Sequence, residues 1–279
     1  MAATSLDHVG IAGRDLGRLA SAYESLGFRL TPRAQHQAPG PDGVVRPIGT
    51  GNRCAMLRRG YLELIAVIDP ALPSNTLDRF LARYEGIHIV AFGIDDAEAE
   101  LARLRAGGAA IGGIAWLERP VETPEGVRTA RFARLPSPEA PEGRMQLIRH
   151  LTPELLWQPH LLEHPNRAVS LDEVILAVSD PAEAAGRLGR LVGQDPVPVE
   201  DGFVLAVGSG RLAIHTVEGA RRRLEGLAVP CLPFIAGVVI GTDDGAQAIA
   251  AIAGARGRRV ASGFLVPASE AGGATLLFT

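Results

Sequence analysis

The chain has 279 residues, 47% of them hydrophobic and 21% charged, enough to bury a substantial core without disulfide or metal staples. Its 28 Lys and Arg against 31 Asp and Glu leave a net charge of −3, which provides no basic field for nucleic acid or an anionic membrane surface. The two distant cysteines, Cys54 and Cys231, exclude a disulfide framework, and the absence of a leader-like start or a bilayer-length apolar run leads us to expect a cytoplasmic protein.

Along the chain, four short β-like runs are each followed by a helical stretch that opens on an Asp and closes on a Gly. The first is Leu6 to Ala12, with Asp15 and Gly27; a last strand Tyr61 to Ile65 follows the turn Arg59-Gly60. A short helix over 74–84 leads to the second, Ile87 to Gly93, with Asp95, Gly107 and the last strand Arg144 to Ile148 after Glu142-Gly143. The Pro- and His-rich stretch Leu151 to Ala168 marks a boundary between halves. Within it His160-Leu-Leu-Glu-His164 spells an inverted zincin motif, but Pro165 denies His164 the helical geometry that motif needs. Leu171 to Val178 with Asp180 and Gly193, and Phe234 to Gly241 with Asp243 and Gly254, begin the third and fourth units. Their last strands are Arg211 to His215 and Ala274 to Phe278, and Arg221 to Arg223 is a solvated connector between them. The repeat is βαβββ, with domains at 1–150 and 169–279 joined by 151–168.

Two rulers locate chemistry in this repeat. Seven residues before each helix-start Asp stand His8, His88, Glu173 and Ala236; three residues after each hairpin Gly stand Glu63, Gln146, Ala213 and Leu276. Strand alternation then places His8 with Gly10 and Ala12, and His88 with Val90 and Phe92, on a concave face, with Ile89 and Ala91 on the helix-covered side. Two imidazoles, a carboxylate and an amide oxygen form a mixed donor set for a divalent ion (Ni, Co, Zn, Mn or Fe), with Glu63 as a base that moves a proton between adjacent carbons. The alternative is a pocket whose polar groups satisfy one another. Asn52, Arg53 and Arg144 are expected to hold a carbonyl-bearing or anionic ligand, and Phe92 and Trp116 to line an apolar wall.

These motifs, Leu6-Asp-His-Val-Gly-Ile-Ala12 with Tyr23-Glu-Ser-Leu-Gly-Phe28, and Gly86-Ile-His-Ile-Val-Ala-Phe92 with Asp95-Asp96, resemble the vicinal oxygen chelate superfamily of glyoxalases, epimerases, bleomycin-resistance proteins and extradiol dioxygenases. Gly51-Asn-Arg53, Tyr61 to Ile65 and Thr152 to Trp157 are most similar to its glyoxalase-like branch. The resemblance implies an α+β fold of four βαβββ modules paired into two half-barrel-like sheets, helices outside, and a metal held by His8, Glu63, His88 and Gln146. It implies an isomerase or lyase acting on a small carbonyl compound or thioester, or a non-catalytic small-molecule binder. An extradiol-type dioxygenase fits less well, since Gln146 stands where those relatives carry a carboxylate. The second half is left to cover the first or to join two chains as a homodimer.

Overall fold

The computed structural model describes residues 2–40, 42–137 and 140–279. The first unit runs β1 (Ser5–Ala12), α1 (Leu16–Ser25), β2 (Ala34–Pro39), β3 (Val45–Met56) and β4 (Tyr61–Val67). After α2 (Leu77–Leu81) the second runs β5 (Gly86–Gly93), α3 (Ala97–Ala106), β6 (Ala115–Thr123), β7 (Gly126–Pro136) and β8 (Arg144–His150). The third is β9 (Ala168–Ala177), α4 (Pro181–Val192), β10 (Val197–Val199), β11 (Gly202–Val207) and β12 (Gly210–His215). Beyond α5 (Val217–Arg223) come β13 (Phe234–Thr242), α6 (Gln247–Ala253), β14 (Arg258–Val260), β15 (Gly263–Val266) and β16 (Thr275–Phe278).

The units pair into two eight-stranded sheets of matching order, β2-β3-β4-β1-β5-β8-β7-β6 and β10-β11-β12-β9-β13-β16-β15-β14. At each centre the first strands of two units lie antiparallel, and each takes its own unit's last strand as a parallel neighbour. That parallel pairing needs a crossover, which begins with the helix and lays it across the convex face.

The helices bury one stripe each. In α1 the stripe is Leu16, Leu19, Ala20 and Tyr23; in α4 it is Ala184, Ala185, Leu188, Leu191 and Val192. Asp15 and Asp180 cap α1 and α4 as expected, accepting backbone N–H bonds from the first turn. In the second unit the acid doublet moves the cap by one residue, and in the fourth the cap position is Ala246, without a side-chain cap. Asp96, not Asp95, accepts from Glu98 and Ala99, and Asp244, not Asp243, accepts from Ala248. Asp95 instead accepts from the Thr4 hydroxyl, and Asp243 pairs with Arg167 at 2.6 Å.

The convex faces of both sheets and all four main helices share one hydrophobic core, in which Val9, Leu62 and Met145 of the first half join Val174, Ile235 and Leu276 of the second. Backbone contacts close the seam. Gly273 has φ +88° and packs so tightly on the Glu85 carbonyl that a Cβ would collide with it. Gly273→Ala is expected to lower stability by about 2 kcal/mol or more, read as a shifted urea midpoint, because it adds both a steric clash and left-handed strain.

The concave face of the second sheet is filled by the chain itself. Ile175, Ala213, Phe234 and Leu277 pack against Ala220 of α5 and against Leu224 and Leu227 after it. Glu173, buried there, is clamped by Arg211 at 2.6 Å and Arg223 at 2.8 Å, so the arginine connector seen in the sequence supplies a counter-charge. A buried carboxylate persists only with such partners.

Candidate functional site in the first half

The first sheet keeps a hollow. Two bulges at its centre decide what faces it. Between β1 and β5 the register passes from Leu6 opposite Phe92 to His8 opposite Ala91, making Asp7 an extra residue on β1. It then passes from Gly10 opposite Ile89 to Ile11 opposite Ile87, making His88 an extra residue on β5. Each bulge shifts the alternation by one, which exchanges the faces of the residues beyond it.

The consequence falls on the expected metal quartet. With Asp96 as the true cap, the residue seven places earlier is Ile89, not His88. The last strands agree: Glu63 lies opposite Gly10, two residues after His8, and Gln146 lies opposite Ala91, two residues after Ile89. Ile89 is therefore the counterpart of His8. Its side chain lies directly over Gly10 and fills the space that glycine opens. With Ala12, Ile65, Leu77, Phe80 and Leu81 it closes that end of the concave face.

His88 is held elsewhere. Its ring is sandwiched between Tyr84 and Phe80, with centroids at 3.9 and 5.0 Å, and its Nε2–H donates to the Tyr84 carbonyl at 2.9 Å. Burial pushes its pKa down to about 4, against the hydrogen bond to Tyr84, so it is neutral. Among the described residues no three His, Cys, Asp or Glu side chains converge to hold a metal ion. One imidazole, one carboxylate and one amide remain on the concave face, and the first two are already engaged. A four-donor divalent site does not fit these residues.

Two linked polar clusters are present instead. Asp7, turned inward by its bulge, accepts from His8 Nδ1 at 2.7 Å and from His150 Nε2 at 3.1 Å. Burial works to raise the Asp7 pKa, but the hydrogen bonds and charges of the two histidines prevail and hold it at about 2. An ionised acceptor fixes the tautomer: His8 carries its proton on Nδ1 and keeps a lone pair on Nε2. The His8 ring stacks on Tyr61 at 4.4 Å. Glu63 accepts from Asn52 Nδ2 at 2.6 Å and stands 3.4 Å from His36 Nε2, whose Nδ1 meets the Thr50 hydroxyl. Burial again opposes ionisation, and the bonds and charges of His36, His8 and Asn52 outweigh it, leaving Glu63 at about 2.

The other expected ligand-binding residues separate. Asn52 belongs to the site through Glu63. Arg53 faces α1, pairing with Glu24 at 2.8 Å and donating to the Thr31 carbonyl, because it lies opposite Leu64 of the convex core. Arg144 ties down the α2 loop through the Asn75 carbonyl and the Thr76 hydroxyl. Phe92 is buried in the shared core on the convex side, and Trp116, 59% exposed, lies opposite Ala133 of that same core. Their neighbours Ala91 and Leu117 face the hollow. His164 is structural, accepting from the Arg29 amide and donating to the Met56 carbonyl.

The residues the sequence reading passed over are Asp7, His36, Arg119 and Arg134. Asp7 had a signal, an acid interrupting an apolar strand, which marks a bulge. Arg119 and Arg134 lie on the concave side of β6 and β7, in alternation with Leu117 and Phe132. A cavity of about 280 Å³ opens here, lined by Cys54, Met56, Arg119, Val121, Leu155 and Leu161. The last two come from the connector, which roofs the sheet. A larger hollow of about 590 Å³ between α3 and α4 is lined by Arg103 and Arg187, but these are already paired with Glu100 and Glu142.

Paired βαβββ sheets with a polar concave face define the vicinal oxygen chelate architecture. A family model described as Glyoxalase-like domain matches residues 6–192, and the chain belongs to that family. Among solved structures, a hypothetical protein from Staphylococcus aureus is similar over 99% of this chain and 98% of its own, with a TM-score of 0.68 and 12% identity. The Mn(II)-bound glyoxalase from Novosphingobium aromaticivorans is similar over 99% and 82%, at 0.55 and 13%. A mutant 4-hydroxymandelate synthase from Streptomyces coelicolor is similar over 93% and 78%, at 0.55 and 16%. At these identities the likeness is one of fold. No curated protein matches the chain significantly. No helix among the described residues is long and apolar enough to cross a membrane.

Proposed function

We propose that the first-half cup binds a small carbonyl compound and moves a proton on it, as an isomerase or lyase of the glyoxalase-like kind that uses side-chain acid–base chemistry. The observation that carries this reading is the Asp7–His8 bond, which orients a buried imidazole and leaves its Nε2 lone pair for a substrate proton. The base is His8 rather than Glu63. A carboxylate held at about 2 is a weak acceptor at neutral pH, whereas the His8 imidazole is oriented by Asp7 through Nδ1 and has its second nitrogen left for the transfer. Glu63 serves to place Asn52 and His36. The four-donor divalent ion is not part of this reading, because Ile89 stands in place of the second imidazole.

The test is exchange of α-protons into D2O, followed by NMR over a panel of small 2-oxo and 3-oxo compounds. His8→Gln should slow exchange on the order of a hundredfold or more with the melting temperature preserved, and Asp7→Asn should slow it by a smaller factor. Exchange indifferent to His8→Gln sinks the assignment. Saturable binding without exchange points to a purely binding protein, a reading favoured by the apolar roof of Leu155 and Leu161.

A further inference from the structure

We infer that the ligand of this cup is an organic carboxylate, its acid group received by the guanidinium groups of Arg119 and Arg134 and its body by the Met56, Phe132 and Leu155 wall. The inference rests on the reading that the first-half cup holds a small molecule, and it specifies that molecule's chemistry.

Both arginines lie on the concave face. Arg119 lies opposite Ala130, which belongs to the cluster of Cys54, Met56 and Tyr61; Arg134 lies between Ala115 and Ile148. Among the described residues neither makes an ion pair or a hydrogen bond, and the Arg134 Nε is buried without a partner. Arg119 only overlies the Phe132 ring at 5.7 Å. Burial pushes the Arg134 pKa down, with the charge of Glu63 opposing, so the group is partly desolvated within reach of that carboxylate's field.

Elsewhere the molecule gives its cations partners, the partly buried Arg256 and Arg258 through backbone carbonyls and others through carboxylates. Arg187 has Glu142, Arg103 has Glu100, Arg53 has Glu24, and Arg211 and Arg223 share Glu173. The carboxylates of the cup cannot serve Arg119 and Arg134, since Asp7 is committed to two histidines and Glu63 to Asn52 and His36. Two partly buried guanidinium groups kept without hydrogen-bond or ion-pair partners are costly unless an anion completes them. A planar carboxylate matches the guanidinium fork. A singly charged acid suits the site better than a dianion, because Glu63 and Asp7 are both ionised close by.

The experiment is calorimetric or ligand-observed NMR titration of the full chain with benzoate, phenylacetate and hexanoate, with methyl benzoate and benzyl alcohol as neutral counterparts and phenyl phosphate as the dianion. The acids should bind at least tenfold tighter than their neutral counterparts, with an affinity that falls as salt rises. Arg119→Gln and Arg134→Gln should each weaken the acids about tenfold or more while leaving the neutral compounds unchanged, and Arg134→Lys should retain part of the preference. Equal binding of acid and ester, or affinities within twofold of the parent in both glutamine variants, overturns the inference and leaves the cup reading standing. Tighter binding of phenyl phosphate than of benzoate overturns the singly charged choice. Failure of every probe, neutral ones included, overturns the inference and the cup reading together.

Discussion

Ile89→His should complete a four-donor divalent-metal set with His8, Glu63 and Gln146, raising affinity for Co(II) or Zn(II) on the order of a hundredfold or more. The parent presents His8, Glu63 and Gln146 around a position where Ile89 contributes only hydrocarbon. An imidazole there would restore two nitrogens and two oxygens, with Asp7 already orienting the first imidazole. Ile89 is 3% exposed and packs on Gly10, so the substitution costs about 1–3 kcal/mol of packing, which bound metal offsets by mass action. The readouts are Co(II) d–d absorption, metal content after dialysis and the metal-dependent rise in melting temperature, each abolished by adding His8→Ala. Stoichiometric metal in parent protein purified without a tag would contradict the donor argument. A well-folded variant with no gain in affinity would show that Ile89 is not the counterpart of His8.

Acid should unfold the protein in two stages. The pKa values of His88, Glu63 and Asp7 are all lower in the folded state than their ordinary 6.5, 4.5 and 3.8, at about 4, 2 and 2. A group depressed by folding adds stability above its unfolded pKa and loses it as pH falls toward the folded value. Each of these depressions corresponds to roughly 2–3.5 kcal/mol, and a domain's whole margin is about 5–15 kcal/mol. The urea midpoint should fall from about pH 6.5 to 4 as His88 charges, with His164 and His215, also shifted down by burial, acting in the same direction. A second fall follows from about pH 4.5 downward as Glu63 and Asp7 take up protons. His88→Gln keeps a donor for the Tyr84 carbonyl and should flatten part of the first stage without touching the second. A midpoint constant from pH 7 to 4 would contradict the burial of neutral histidine.

The architecture was legible because it is written in local signals. Glycines after helices and in hairpins, and an acid at each helix start, recur with a period the sheets reproduce strand for strand. What the sequence concealed was one residue of phase. An acid doublet offers two caps, and only the packed structure shows that Asp96 is the one used in the second unit. Counting from Asp95 selected His88, and since side chains alternate along a strand, that single step misassigned the whole of β5, Phe92 included. The fourth unit slips by one at the other ruler, for counting from the Gly272-Gly273 turn selected Leu276 whereas Leu277 faces inward. Arg53 and Trp116 were misplaced for a related reason, because each alternates with a neighbour, Asn52 and Leu117, that takes the concave face, and the phase of β3 and β6 was not fixed by any ruler. His8 and Glu63 share the concave face because their rulers, Asp15 and Gly60, each offer a single choice, and Asn52 joins them through its bond to Glu63.

The plugged second sheet changes what the duplication means for this chain. One copy has an open concave face, while the other has turned its own α5 and a Glu–Arg clamp into a permanent occupant. Since both copies lean on one spine of apolar side chains, the filled copy acts as ballast: it holds the open one in shape whether or not a ligand is present. Substitutions on the walls of the hollow would then leave the fold intact.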